Sequence, residues 1–165
     1  DISRFKELDV IASMQPVHPP GSDGLPLEPT ISKIGNDRFN EAYAWRSIKE
    51  AGGKVIFSTD WPVSNVDPIN CISNALNRQV WAEGQFDQRL SLIDTLKAYT
   101  IGGAYAEFKE HKKGLIQKNY LADIVVLSDR IDLLNKEQLS TLKVISTIVD
   151  GKLVYSSDPQ LEYAN

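Results

Sequence analysis

The sequence predicts an α/β fold, on three observations. Apolar runs of strand length alternate with helix-like segments over roughly the first 106 residues, which implies parallel strands with helices outside them. The last 50 or so residues change character and read as short antiparallel strands. The composition is that of a globular domain: 165 residues, 42% hydrophobic and 24% charged, enough to bury a core.

The first residues, DISRFKELDV, read as the tail of a helix already in progress, and the chain starts at Asp1 rather than at methionine, so an N-terminally truncated piece of a longer protein is expected. Residues 10–14, VIASM, fit a buried strand that stops at Gln15-Pro16, because proline cannot continue a ladder. Residues 16–37 hold five of the eight prolines and three glycines and read as a long irregular segment of the kind that carries function. Asp37 offers a cap for a helix over 38–51, closed by Gly52-Gly53. A second apolar strand follows over 54–59 and ends at Asp60-Trp61-Pro62. Asp67-Pro68 is a helix start, a capping acid followed by proline at the first helical position, and the helix is expected to run to about Glu83. Ser91 with Asp94 resembles a capping box in front of a helix over 92–108. Beyond it, 122–128 reads as a strand, 135–142 as a short helical turn, and 144–149 and 152–156 as a hairpin around Asp150-Gly151.

The formal net charge of −4 and a pI near 5.2 argue against a nucleic-acid partner, which needs a basic face. No apolar run approaches the roughly 20 residues of a membrane span, and no leader is visible, so the expectation is a cytoplasmic protein with no membrane partner. One cysteine, Cys71, allows neither an internal disulfide nor a cysteine-based zinc finger. No phosphate-binding loop, dinucleotide fingerprint or serine-hydrolase elbow is present.

The sharpest local feature is VIFSTDWP, residues 55–62. A wholly apolar strand delivers Asp60 to its C-terminal end, where parallel α/β folds bind ligands. A carboxylate there can ligate a metal or move a proton; its alternative is a capping or loop-stabilising acid. His18 follows the other strand end, in SMQPVH, and adjacent parallel strands would put it on the same rim as Asp60. The alternative for His18 is an exposed loop histidine. Trp61 can serve as a packing residue, a pocket wall, or both. His111, among charges near a helix end, reads as solvated; Arg46 as an ion-pair partner; Cys71 as a buried small residue.

Six segments in order resemble one family: IASMQPVH (11–18), AYAWRSIKEAG (42–52), VIFSTDWPVSNVDPI (55–69), LKAYTIGGAYAEF (96–108), KGLIQKNYLADIVVLS (113–128) and VISTIVDGKLVY (144–155). Together they look like the C-terminal third of the amidohydrolase superfamily, in the branch of N-substituted-formamide-deformylase-like (YtcJ-like) metal-dependent hydrolases. The resemblance implies the last strands and helices of a (β/α)8 TIM-type barrel over 1–108, followed by part of a small β-sandwich over 109–165. It implies hydrolysis of a C–N amide-type bond in a small-molecule substrate by metal-activated water, with zinc as the expected metal. Asp60 matches the strand-eight aspartate, a metal ligand and proton shuttle, and His18 and Trp61 are expected to face substrate. The family's metal-binding histidines come from strands with no counterpart here. The chain alone is therefore expected to be inactive, to lack a complete metal site, and to form a homo-oligomer or associate with a missing N-terminal part. The alternative is a non-catalytic binding or regulatory member of the same fold.

Overall fold

The computed structural model describes residues 1–159, in two compact units: Asp1–Tyr99, and Thr100 onward. The last six residues of the expected 109–165 domain lie outside the described residues.

In the first unit a short helix α1 (Arg4–Glu7) leads into strand β1 (Ile11–Met14), which pairs in parallel with β2 (Lys54–Phe57). The register sets Ile11 against Lys54 and Met14 against Phe57, so the two carboxyl ends lie side by side. The proline-rich segment between them is not wholly irregular: it contains α2 (Thr30–Ile34) and a 3-10 turn (Asn36–Glu41).

The single helix expected over 38–51 is instead the 3-10 turn, a break, and α3 (Trp45–Glu50). Ala42 is extended and Tyr43 is left-handed, with φ 50°. The cause is tertiary. Arg78, 5% exposed, donates to the carbonyl oxygens of Tyr43 and, at 3.0 Å, of Ala42, which an uninterrupted helix would have used itself. The guanidinium also lies over the rings of Trp45 and Trp81, at 4.6 and 5.0 Å from their centroids. Burial pulls its pKa down to about 10, with Tyr43 and Asp87 countering, so it stays charged at neutral pH.

Since Ala44 has no side chain with which to cap α3, Gln88 does so from 41 residues away. Its Oε1 accepts from the amides of Arg46 (3.0 Å) and Ser47 (3.1 Å), while its Nε2 donates to Ser47 Oγ at 2.6 Å.

Helix α4 (Pro68–Asn77) starts as the sequence predicts, with Asp67 Oδ1 accepting from the amide of Ile69 at 2.9 Å. It stops at Arg78, short of Glu83, because that residue turns extended (ψ 132°) to reach its partners. Helix α5 (Leu92–Tyr99) carries the expected cap: the Asp94 amide donates to Ser91 Oγ at 3.1 Å. Trp45, Phe57, Ala75, Leu90 and Ala98 form the core between these helices and β2, with Trp45 edge-on to Phe57 at 5.6 Å.

The helix expected over 92–108 breaks at Thr100 (φ −114°, ψ −92°), which opens the second unit, and resumes as α6 (Ile101–Ala106). Gly102 and Gly103 give this stretch little helical propensity of its own. Strand β3 (Ile124–Leu127), helix α7 (Lys136–Leu139), and strands β4 (Val144–Val149) and β5 (Lys152–Ser156) follow. The sheet is antiparallel in the order β3-β4-β5, and β4–β5 is the hairpin read around Asp150-Gly151. Both turn residues are left-handed, as a two-residue hairpin requires. The turn is held by Asp123 Oδ1, which accepts from the Asp150 amide at 2.8 Å. Among the described residues no helix is long and apolar enough to cross a membrane.

Candidate functional site at the rim of strands β1 and β2

The parallel pairing of β1 and β2 sends both chains out over the same edge. Gln15 Nε2 donates to Ser58 Oγ at 3.0 Å, and the Ser58 amide donates to the Met14 carbonyl at 3.1 Å, lacing the two ends together. On the β1 side the His18 amide donates to the Gln15 carbonyl at 3.1 Å, a turn that swings the imidazole toward β2. On the β2 side Asp60 adopts φ 59°, a left-handed conformation that aspartate tolerates better than most residues. Its carbonyl accepts from the amides of Val63 (2.8 Å) and Ser64 (3.3 Å).

These two turns bring His18 Nε2 to 3.5 Å from Asp60 Oδ2. The histidine side chain is 28% exposed and the carboxylate 47%, so the pair is open on one side to an incoming molecule. Ser64 Oγ lies 3.4 Å from the same imidazole nitrogen. Trp61 follows Asp60 and is 67% exposed, so it packs into no core of its own unit.

His18 and Asp60, separated by 42 positions in sequence, thus meet at one rim, with Trp61 beside them. Ser64, Gln15 and Ser58 were not singled out from the sequence; their signal, polar residues within seven positions of a strand end, is too common to be diagnostic. His111 is exposed. Arg46 makes the expected ion pair, Nε to Glu50 Oε1 at 2.8 Å. Cys71 is 1% exposed, and burial pushes its thiol up, with the Tyr99 hydroxyl opposing, so it supplies no thiolate nucleophile.

The donor chemistry fits a divalent metal in part. Asp60 offers an accessible carboxylate and His18 an imidazole nitrogen beside it. Among the described residues no three histidine, cysteine, aspartate or glutamate side chains converge, whereas a catalytic zinc needs about three protein ligands. Among the described residues the donors that meet at this rim are these two side chains, fewer than such a zinc requires.

Known proteins place this chain in a family. The model of the amidohydrolase family matches residues 1–155. Protein LONG AFTER FAR-RED 3 of Arabidopsis thaliana is 31% identical over 93% of this chain and 26% of its own length. The putative amidohydrolase YtcJ of Bacillus subtilis is 30% identical over 93% of this chain and 29% of its own. The N-substituted formamide deformylase of Arthrobacter pascens is 29% identical over 73% and 22%. A crystal structure of an uncharacterized metal-dependent hydrolase from Pyrococcus furiosus superposes with a TM-score of 0.57, at 31% identity, over 72% of this chain and 23% of that one. The chain thus spans about a quarter of the length of the curated relatives it matches. With a family match over 155 of its 165 residues, this chain belongs to the amidohydrolase family.

Proposed function

We propose that this chain is the C-terminal part of a metal-dependent amidohydrolase that cleaves a C–N amide-type bond in a small molecule. One observation carries the reading: in a chain of this family, His18 and Asp60 converge within 3.5 Å at the carboxyl edge of two adjacent parallel strands. In the same reading β1 and β2 are the last two strands of a (β/α)8 barrel, and β3, β4 and β5 belong to a small β-sandwich.

Asp60 has the chemistry of both a ligand and a proton carrier. Its carboxylate reaches solvent at the rim, it is held by a turn rather than by a buried ion pair, and it can take a proton from water and hand it to the leaving amine. His18 and the exposed face of Trp61 flank it and are read as substrate contacts. The metal, zinc in this reading, supplies when bound a Lewis acid that lowers the pKa of water toward about 7. Because Asp60 is one donor and His18 at most a second, the 165-residue chain by itself is expected to be inactive and to associate with an N-terminal part or with another copy.

The deciding experiment is hydrolysis of an N-alkyl formamide by the full-length protein, with the metal content of each preparation measured. Asp60→Asn is expected to lower kcat by about 100-fold or more while leaving the fold intact, because asparagine also tolerates the left-handed backbone. A variant that keeps its activity within threefold of the parent would overturn the role given to Asp60.

A further inference from the structure

We propose that Ser64 is a positioning residue for His18, giving the imidazole a second partner at the rim. The proposal rests on the reading of His18 as a substrate contact. His18 Nε2 lies 3.5 Å from Asp60 Oδ2 and 3.4 Å from Ser64 Oγ, so two oxygens compete for one nitrogen at nearly equal range. An imidazole nitrogen carries either one hydrogen or one lone pair. When Nε2 carries the hydrogen, it can donate to the carboxylate or to the hydroxyl. When it carries the lone pair, an ionised Asp60 has nothing to donate, and Ser64 O–H does. The serine hydroxyl therefore satisfies both forms of the ring, whereas the ionised carboxylate satisfies one.

The Ser64 contact has hydrogen-bond geometry, and Asp60 approaches as an ion-pair partner. The serine therefore fixes where the imidazole sits at the rim. Ser64 is placed to do so by the same turn that shapes Asp60. Its amide donates to the Asp60 carbonyl at 3.3 Å, four residues along, which points its side chain back to the rim. The backbone makes the turn and the hydroxyl makes the contact, so the two roles separate by mutation.

Two measurements on the full-length protein test this. The first is steady-state hydrolysis of an N-alkyl formamide by Ser64→Ala and Ser64→Thr. The alanine variant is expected to raise KM about fivefold, with kcat within about twofold, and threonine, which keeps a hydroxyl, to restore KM. The second needs no activity: 15N spectra of the imidazoles at one fixed pH. The ring signals of His18 are assigned by their loss in a His18→Gln variant. Ser64→Ala is expected to change the difference between the two ring nitrogens of His18, and Ser64→Thr to return it. Unchanged His18 nitrogens in Ser64→Ala overturn the proposal, whatever the activity does. So does an unchanged KM in Ser64→Ala when the wild-type enzyme hydrolyses the formamide. A wild type that hydrolyses no formamide, with His18 nitrogens that do respond to Ser64→Ala, upholds the contact and removes the amide-hydrolase reading instead.

Discussion

The two units of this chain are held together in different ways. In Asp1–Tyr99 the stabilising residues are large side chains far apart in sequence: Trp45 and Phe57 are buried, and Arg78 and Gln88 reach across more than 30 positions to satisfy backbone groups. From Thr100 onward the sheet β3-β4-β5 contains no fully buried residue, and Val125, Val149 and Val154 are each about half exposed. Beside the buried Ala104, Leu139 and Leu142, that unit is fixed by its turns: the left-handed pair Asp150-Gly151 held by Asp123, the capping box of Asn135 and Gln138, and the close approach at Gly114. The candidate site sits on the unit held by side chains. That suits chemistry that needs two groups kept in register, since packed side chains resist sliding in a way that a half-exposed sheet does not.

The contrast can be broken most directly at Trp45. Trp45→Ala removes a fully buried indole, its edge contact with Phe57 and the face on which Arg78 rests, and is expected to cost about 3–5 kcal/mol in a urea titration. Next in size is Gly114→Ala. A Cβ there would lie 2.8 Å from Ile101 Cα on a backbone at φ 92°, so a loss above about 1 kcal/mol is expected from a position with no side chain to delete. A smaller effect tests the electrostatics of the first unit. Burial pushes the Asp94 carboxyl up, but the Ser91 hydroxyl and Lys49 ammonium together hold it below the usual range. Arg89 does the same for Asp87, its hydrogen bond outweighing burial. Groups depressed on folding bind fewer protons than the unfolded chain, so their contribution is complete above the unfolded pKa of about 3.9 and is lost as pH falls through the folded value. Thermal unfolding between pH 5 and 3 is expected to show falling stability, with Asp94→Asn flattening the slope by less than about 1 kcal/mol. The smallest effect belongs to Val154→Thr on β5, which is expected to stay within about 0.5 kcal/mol. A loss as large as that of Trp45→Ala would show that the sheet carries a packed face after all.

What was legible in the sequence follows the same division. The hairpin at Asp150-Gly151, the Asp67-Pro68 helix start and the Ser91–Asp94 cap were readable because a few adjacent residues determine each of them. The convergence of His18 with Asp60 was readable because two apolar strands joined by a helical crossover lie parallel, with like ends together. The break at Tyr43 was not, since RFNEAYAWRSIKEA has sound helical spacing and the interruption is made favourable by distant side chains, Arg78 on the Ala42 and Tyr43 carbonyls and Gln85 on that of Phe39. The early stop of α4 has the same cause, and the Gln88 cap on α3 has no local signature at all. Ser64 was invisible for a related reason: its significance lies in its distance to a histidine 46 residues earlier.

The left-handed backbone at Asp60 has a consequence for how such a chain can change over generations. Few side chains tolerate that conformation, and aspartate and asparagine are the foremost of those that carry a polar group. Their codons differ by a single base. One point mutation therefore removes the negative charge while keeping the turn, the strand end and the packing beneath it. Glutamate, which keeps the charge, would be strained there and reach too far. Under the role proposed for Asp60 the position is tolerant in fold and intolerant in chemistry, so a lineage of this sequence can lose the carboxylate in one step and inherit an intact scaffold.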